Sequence, residues 1–317
     1  MKLNKLLVAM TAAGLMALVG PAQASITFQF NPLGNGLGLG LIDGGGLLDQ
    51  APGNTNALNG SGGGGPVPIG TVIADLYQAN LGSVQAQDTT NLFSNGTNGG
   101  FGGANRFFTF VASFTEVVVG SSFTPLGGGA FKLGNEFVLN PGGTFKMCAK
   151  SVIGNNLTGV GFGCAGNGIL SGRITGGDSS QTATVRGPFV PLDQAGGNDW
   201  PGVTTLSSIG SADITAVVTF VDANYFPDLR IDTKIAINSS LITPYKQVDP
   251  SRRFSSGLVT DDTATNIGAV NGLSGPNFIF QSDANNSFDA PEPGALALGG
   301  IALAGLALMR SRRKQSV

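Results

Sequence analysis

The chain has 317 residues, of which 17 are basic and 19 acidic, for a net charge of −2; charged residues make up 11% and hydrophobic ones 41%. It contains no histidine, which excludes Ser-His-Asp and Cys-His nucleophile activation, imidazole zinc sites and haem with a histidine axial ligand. Glycine, at 51 residues, is about twice its ordinary share, yet twenty phenylalanines still make a packed core attainable.

The first 24 residues have the layout of a secretory signal peptide. Lys2 and Lys5 precede the apolar run 6–19, and Ala22, Gln23 and Ala24 supply the small residues of a signal-peptidase site, which puts the mature start at Ser25. The apolar run is too short for a stable span. The leader holds two of the basic residues, and residues 291–317 hold four more with one acidic residue. The part between has 11 basic and 18 acidic residues, a net of about −7. Such a surface is repelled by nucleic acid and anionic lipid, so no nucleic-acid partner is expected.

Residues 25–280 read as an all-β exported domain of sandwich or jelly-roll-like form. The segment 25–70 is rich in Gly, Asn and Pro and reads as loops with one or two short strands, and Ser61 with Gly62 to Gly65 reads as a flexible turn. One helix is expected over 72–87, where Ile73, Leu76 and Tyr77 fall at helical spacing. Strands are expected over 107–119, 136–139, 144–153, 182–186, 214–221, 234–238 and 277–281, each rich in β-branched or aromatic residues and bounded by turn formers. In the first of these Phe108, Phe110, Ala112 and Phe114 would face the core, while Phe107 and Val111 make the other face apolar too. A central strand is the favoured reading.

Cys148 and Cys164 are the only cysteines. A hairpin turning at Asn156 would set them opposite one another, and an exported protein meets oxidising conditions, so a disulfide is expected. A catalytic or metal-binding thiol is the alternative, with no histidine to assist it. The acids Glu116, Glu136, Asp199 and Asp222 are the candidates for a carboxylate pair of the kind that cleaves glycosides, but nothing in the sequence brings two together. No catalytic residue and no cofactor are therefore assigned. Gly161, Gly163 and Gly166 have dinucleotide-loop spacing without a following helix, and a glycine-rich turn is preferred. Trp200, the only tryptophan, reads as core packing rather than a sugar platform. Asn156, Asn238 and Asn285 begin glycosylation triplets that carry little weight in a bacterial chain.

Residues 281–290 are polar and read as a spacer beyond the folded body. Asp283, Asn285, Ser287 and Asp289 alternate there like the first ligands of a calcium loop, without its glycine or its closing acid, so no metal is assigned. After the spacer come Pro291, Glu292 and Pro293, an apolar segment over 294–309, and the basic residues Arg310, Arg312, Arg313 and Lys314. As a helix the apolar segment would rise roughly 24 Å against a hydrocarbon core of about 30 Å, short for a permanent anchor. It can lodge in a bilayer transiently if the basic side chains snorkel, and those charges would stay on the cytoplasmic side.

Motif, apolar segment and basic stop, in this order at the C-terminus, resemble the PEP-CTERM sorting signal of bacterial exported proteins. That resemblance implies cutting near Pro291, Glu292 and Pro293 by exosortase, a membrane-embedded cysteine transpeptidase, and passage to the cell surface or an extracellular matrix. An uncut C-terminal anchor is the alternative. The mature start Ser25 to Pro32, followed by Gly-rich sequence and a β body, further resembles the flocculation-associated PEP-CTERM proteins. Those imply a non-catalytic role in cell aggregation or biofilm with exopolysaccharide as partner; a secreted carbohydrate-binding module or a carboxylate-based glycan-active enzyme is the second reading.

Overall fold

The computed structural model describes residues 26–58, 66–94, 106–164, 166, 168–186, 189–197, 199–255, 260–261 and 277–289. The chain divides into a body, Thr27–Phe288, and a second unit made of the two ends, of which only Ile26 and Asp289 are among the described residues. The signal peptide with Ala22, Ala24 and Ser25, the motif Pro291, Glu292 and Pro293, the apolar segment and the basic stop therefore lie outside the described residues.

The body is all-β. Its strands are β1 (Phe28–Phe30), β2 (Ile42–Gly45), β3 (Leu47–Gln50), β4 (Gly53–Leu58), β5 (Val72–Gln85), β6 (Asn91–Ser94), β7 (Phe107–Gly127), β8 (Ala130–Leu139) and β9 (Thr144–Lys150). The second half adds β10 (Leu170–Val185), β11 (Val190–Pro191), β12 (Thr204–Thr205), β13 (Ser207–Val221), β14 (Lys234–Thr243), β15 (Phe254–Ser255), β16 (Thr260–Asp261) and β17 (Phe278–Asp289).

Eleven of these strands form one sheet whose ladder returns to its start. β5 pairs β4, β4 pairs β17, and the order continues through β14, β13, β10, β8 and β7, which pairs β5 again. Two places in the ring are shared. β3 and β4 each pair both β5 and β17, and β8 and β9 each pair both β7 and β10. The result is an eight-place closed barrel, just wide enough for side chains to fill. The expected sandwich-like layers are thus opposite walls of a single sheet, and among the described strands each of the eight places in the ring has a partner on both sides.

The barrel interior holds Ala57, Ile73, Val118, Leu133, Phe137, Ala183, Leu206, Phe278 and Phe280. One end is closed by aromatic rings. Phe30 of β1 packs 5.1 Å from Phe108 and 5.8 Å from Phe93, and Phe28 packs 4.9 Å from Phe288, with Phe226 in contact with both β1 rings. All six are buried.

A second core lies outside the barrel. Leu76 of β5 and Ile279 of β17 pack beneath Leu192, Trp200, Val203, Tyr245 and Phe254, which belong to segments crossing the outer face. Amide side chains on that face bind the backbone of the crossing segments. Asn80 donates to the Gly154 carbonyl (2.9 Å) and accepts from its N–H (2.9 Å), Gln78 donates to the Arg253 carbonyl (2.8 Å), and Asn54 accepts from the Ser251 N–H (2.8 Å). The Gln281 carbonyl oxygen accepts from the N–H groups of Lys246 and Gln247.

Two sequence expectations are corrected by this layout. Residues 72–87 are no helix: β5 is a 14-residue strand buried on both faces, with Ile73, Asp75 and Tyr77 toward the interior and Leu76, Gln78 and Asn80 toward the cover. Burial on both sides erases the alternation that marks a strand. Residues 281–290 are, as far as Asp289, no spacer but the last nine residues of β17. Their alternation is strand periodicity, with Ala284, Asn286 and Phe288 buried and Asp283, Asn285, Ser287 and Asp289 facing outward, so these four are not arranged as a calcium loop.

Candidate functional site

The barrel interior contains a cavity of about 100 Å³, lined mainly by phenylalanines and aliphatic residues together with Asp75 and Glu116. β5 and β7 pair so that Ile73 lies opposite Glu116 and Asp75 opposite Phe114. Both acids point inward as diagonal neighbours, the closest same-face relation after a direct pair. They are 3% and 7% exposed.

Burial holds the Asp75 carboxyl well above the usual carboxylate range, and the neighbouring Glu116 pushes it further. Burial also raises Glu116 to about 7, against the pull of Ser179, whose hydroxyl donates to Glu116 Oε2 at 2.7 Å. Among the described residues Asp75 Oδ2 has no hydrogen-bond partner. Two acids this dry hold their protons more tightly than ordinary carboxyls do.

Of the four acids singled out in the sequence, only Glu116 meets this pair, and its partner Asp75 was hidden in the segment expected to be helical. Glu136 is exposed on β8. Asp222 shapes a turn, accepting from the Asn224 N–H at 2.9 Å. Asp199 joins Asp193 and Asp249 outside the barrel, where carboxylate oxygens from all three lie within 4.8 Å of one another. Asp193 and Asp249 come from segments 50 residues apart or more and carried no signal of their own.

Cys148 and Cys164 form a disulfide with Cα atoms 6.0 Å apart, and neither cysteine is free. Cys148 lies in β9, but Cys164 sits in the loop that follows it, and the chain rejoins β9 only from Leu170, opposite Met147. The bridge therefore pins a long loop to the barrel instead of crossing a tight hairpin. Beneath it Val111, Phe162 and both cysteines make a small core, which explains why both faces of the first half of β7 are apolar. Gly168, at φ +67°, turns the chain back at a place where a Cβ would run into the Met147 carbonyl. Gly161, Gly163 and Gly166 are thus part of a pinned loop. Trp200 is 8% exposed in the outer core, with the Arg252 guanidinium 5.4 Å from its ring centroid, the packing role expected of it.

The described residues form a disulfide-bridged barrel with a dry acid pair and a covered outer face. Among the described residues no helix is long and apolar enough to cross a membrane. Residues 289–314 match the family model of the PEP-CTERM protein-sorting motif. The chain thus carries the signal of exosortase substrates, exported proteins that are transiently anchored in the membrane and processed by exosortase. The match begins at the final residue of β17, and Ala290 alone separates that strand from Pro291. Comparison with curated proteins and with solved structures gives no match.

Proposed function

We propose that this chain is a non-catalytic protein of the cell surface or extracellular matrix, acting with exopolysaccharide in cell aggregation, floc or biofilm formation. The observation that carries the reading is the sorting motif directly behind the last barrel strand: cutting at Pro291, Glu292 and Pro293 releases a complete barrel. Signal peptidase, cutting before Ser25, leaves Phe28 and Phe30 on the mature chain to close the barrel end. A protein with no catalytic histidine and a disulfide-pinned, closed fold suits long residence outside the cell.

Deletion of the gene tests this. Cells should lose flocs while still making polysaccharide, and re-expression of the full chain should restore them; flocs unchanged by deletion refute the reading.

The pair Asp75 and Glu116 favours a second reading, glycan cleavage by two carboxylates. Against it stands the setting of the two acids, which line a cavity of about 100 Å³ inside a closed barrel. Glycosidases place their acids on either side of a bound sugar linkage. Release of sugar from exopolysaccharide by the purified protein, abolished in Glu116→Gln, would replace the first reading with this one.

A further inference from the structure

We propose that Asp193, Asp199 and Asp249 form a calcium site that ties together two of the segments covering the barrel's outer face. Asp193 and Asp199 lie on the segment between β11 and β12, and Asp249 on the segment after β14. The two segments are already joined by backbone: the Gln194 N–H donates to the Tyr245 carbonyl and the Tyr245 N–H to the Leu192 carbonyl, both at 2.8 Å. This junction brings an oxygen of each carboxylate within 4.8 Å of the other two.

An acidic cluster alone is ordinary surface chemistry. Asp193 makes this one different, because it is only 3% exposed. Its Oδ1 accepts from the Ala195 N–H at 3.1 Å, but its Oδ2 is buried and, among the described residues, has no donor. A buried carboxylate oxygen without a donor is costly unless a cation completes it. Arg252 does not do so: its guanidinium lies over Trp200 and donates to the backbone carbonyl of Asp199 at 3.3 Å. Burial raises the Asp193 carboxyl above its ordinary range, and the charges of Asp249 and Asp199 raise it further, against the pull of the Ala195 and Trp200 backbone N–H groups. Asp249 is likewise raised by burial and then by Asp199.

The donor set selects the ion. Every ligand is a hard carboxylate oxygen; the chain has no histidine and both cysteines are bridged, so the nitrogen and sulfur ligands preferred by zinc are missing. Magnesium demands near-ideal octahedral geometry and is usually held by one or two carboxylates, whereas calcium accepts irregular sites with several. Asp199 is exposed and Asp249 half-buried, leaving a side on which water completes the shell.

Trp200 makes the test direct, being the only tryptophan and the neighbour of Asp199 in the chain. Mature protein purified from cells and stripped with chelator should show tryptophan-sensitised terbium luminescence that saturates near one ion per chain and is displaced by calcium. Calcium should also raise its melting temperature. Asp193→Asn and Asp249→Asn should abolish both effects. Asp199→Asn, an exposed change that leaves the fold intact, should weaken calcium binding about tenfold, and Asp213→Asn on the opposite wall should change nothing. The proposal is overturned by a melting temperature identical in calcium and chelator, or by luminescence that survives both Asp193→Asn and Asp199→Asn.

Discussion

The barrel has one covered wall and one bare wall, and the same kind of backbone reads differently in each. On the bare side, β13 alternates strictly: Ser211, Asp213 and Thr215 face out while Ala212, Ile214 and Ala216 face in. On the covered side, β5 and the first half of β17 are buried on both faces, and their outward positions hold Gln78, Asn80 and Gln281 as well as Leu76 and Ile279. Those amides hydrogen-bond the crossing segments where a solvent-facing strand would carry charge. A polar side chain in this sequence therefore marks either water or a buried backbone partner, and the covering loops decide which.

The largest test of this contrast is removal of residues 281–317. If they were a spacer and tail, the body would fold without them; because β17 fills a place in the ring, the truncated protein should show no cooperative thermal unfolding. Next, Ile279→Ala, at a side chain 0% exposed under the cover, should cost about 2–5 kcal/mol in denaturant unfolding. Ile209→Ala, 68% exposed on the bare wall, should stay within about 0.5 kcal/mol; equal losses at the two sites would erase the distinction between the walls. Cys148→Ser frees the loop over β7 and should cost about 3 kcal/mol.

A further effect concerns the inner face of the covered wall. Glu116 titrates at about 7 in the folded protein, against an ordinary 4.5, so the folded state holds the proton more tightly. The resulting stabilisation is complete below the ordinary value and is lost as the pH rises through about 7. The melting temperature should accordingly be a few degrees higher at pH 5 than at pH 8, and Glu116→Gln should flatten the slope. A melting temperature that rises over this interval in the wild type and not in the variant contradicts the burial of this acid.

How much of this was legible follows the same division. The all-β class, the strand starting at Phe107 and the disulfide could be read from β-branched runs, turn residues and cysteine spacing. Of the bare-wall strand β13 only 214–221 was expected, where β-branched and aromatic residues gather; its first half, 207–213, is Ser- and Gly-rich and reads as turn. β5 was taken for a helix because both its faces are dry, and Ile73, Leu76 and Tyr77 are spaced as well for a helix as for a strand buried on two sides. The outer half of β17 was taken for a spacer because Asp283, Asn285 and Asp289 colour it polar, although every second residue is buried. Closure of the ring and the meetings of Asp75 with Glu116 and of Asp193 with Asp249 depend on strand order and loop crossings, which leave no local pattern. The sorting motif needs no such contacts, and its order of motif, apolar segment and basic stop was readable as it stands.

Intact-mass measurement of the protein recovered from the cell surface or medium tests the central claim most directly. The account predicts a chain that begins at Ser25, ends at or next to Pro291, Glu292 and Pro293 with all of β17 retained, and is two hydrogens lighter than its reduced form. A chain that still ends in Ser316 and Val317, or one cut inside β17, would contradict it.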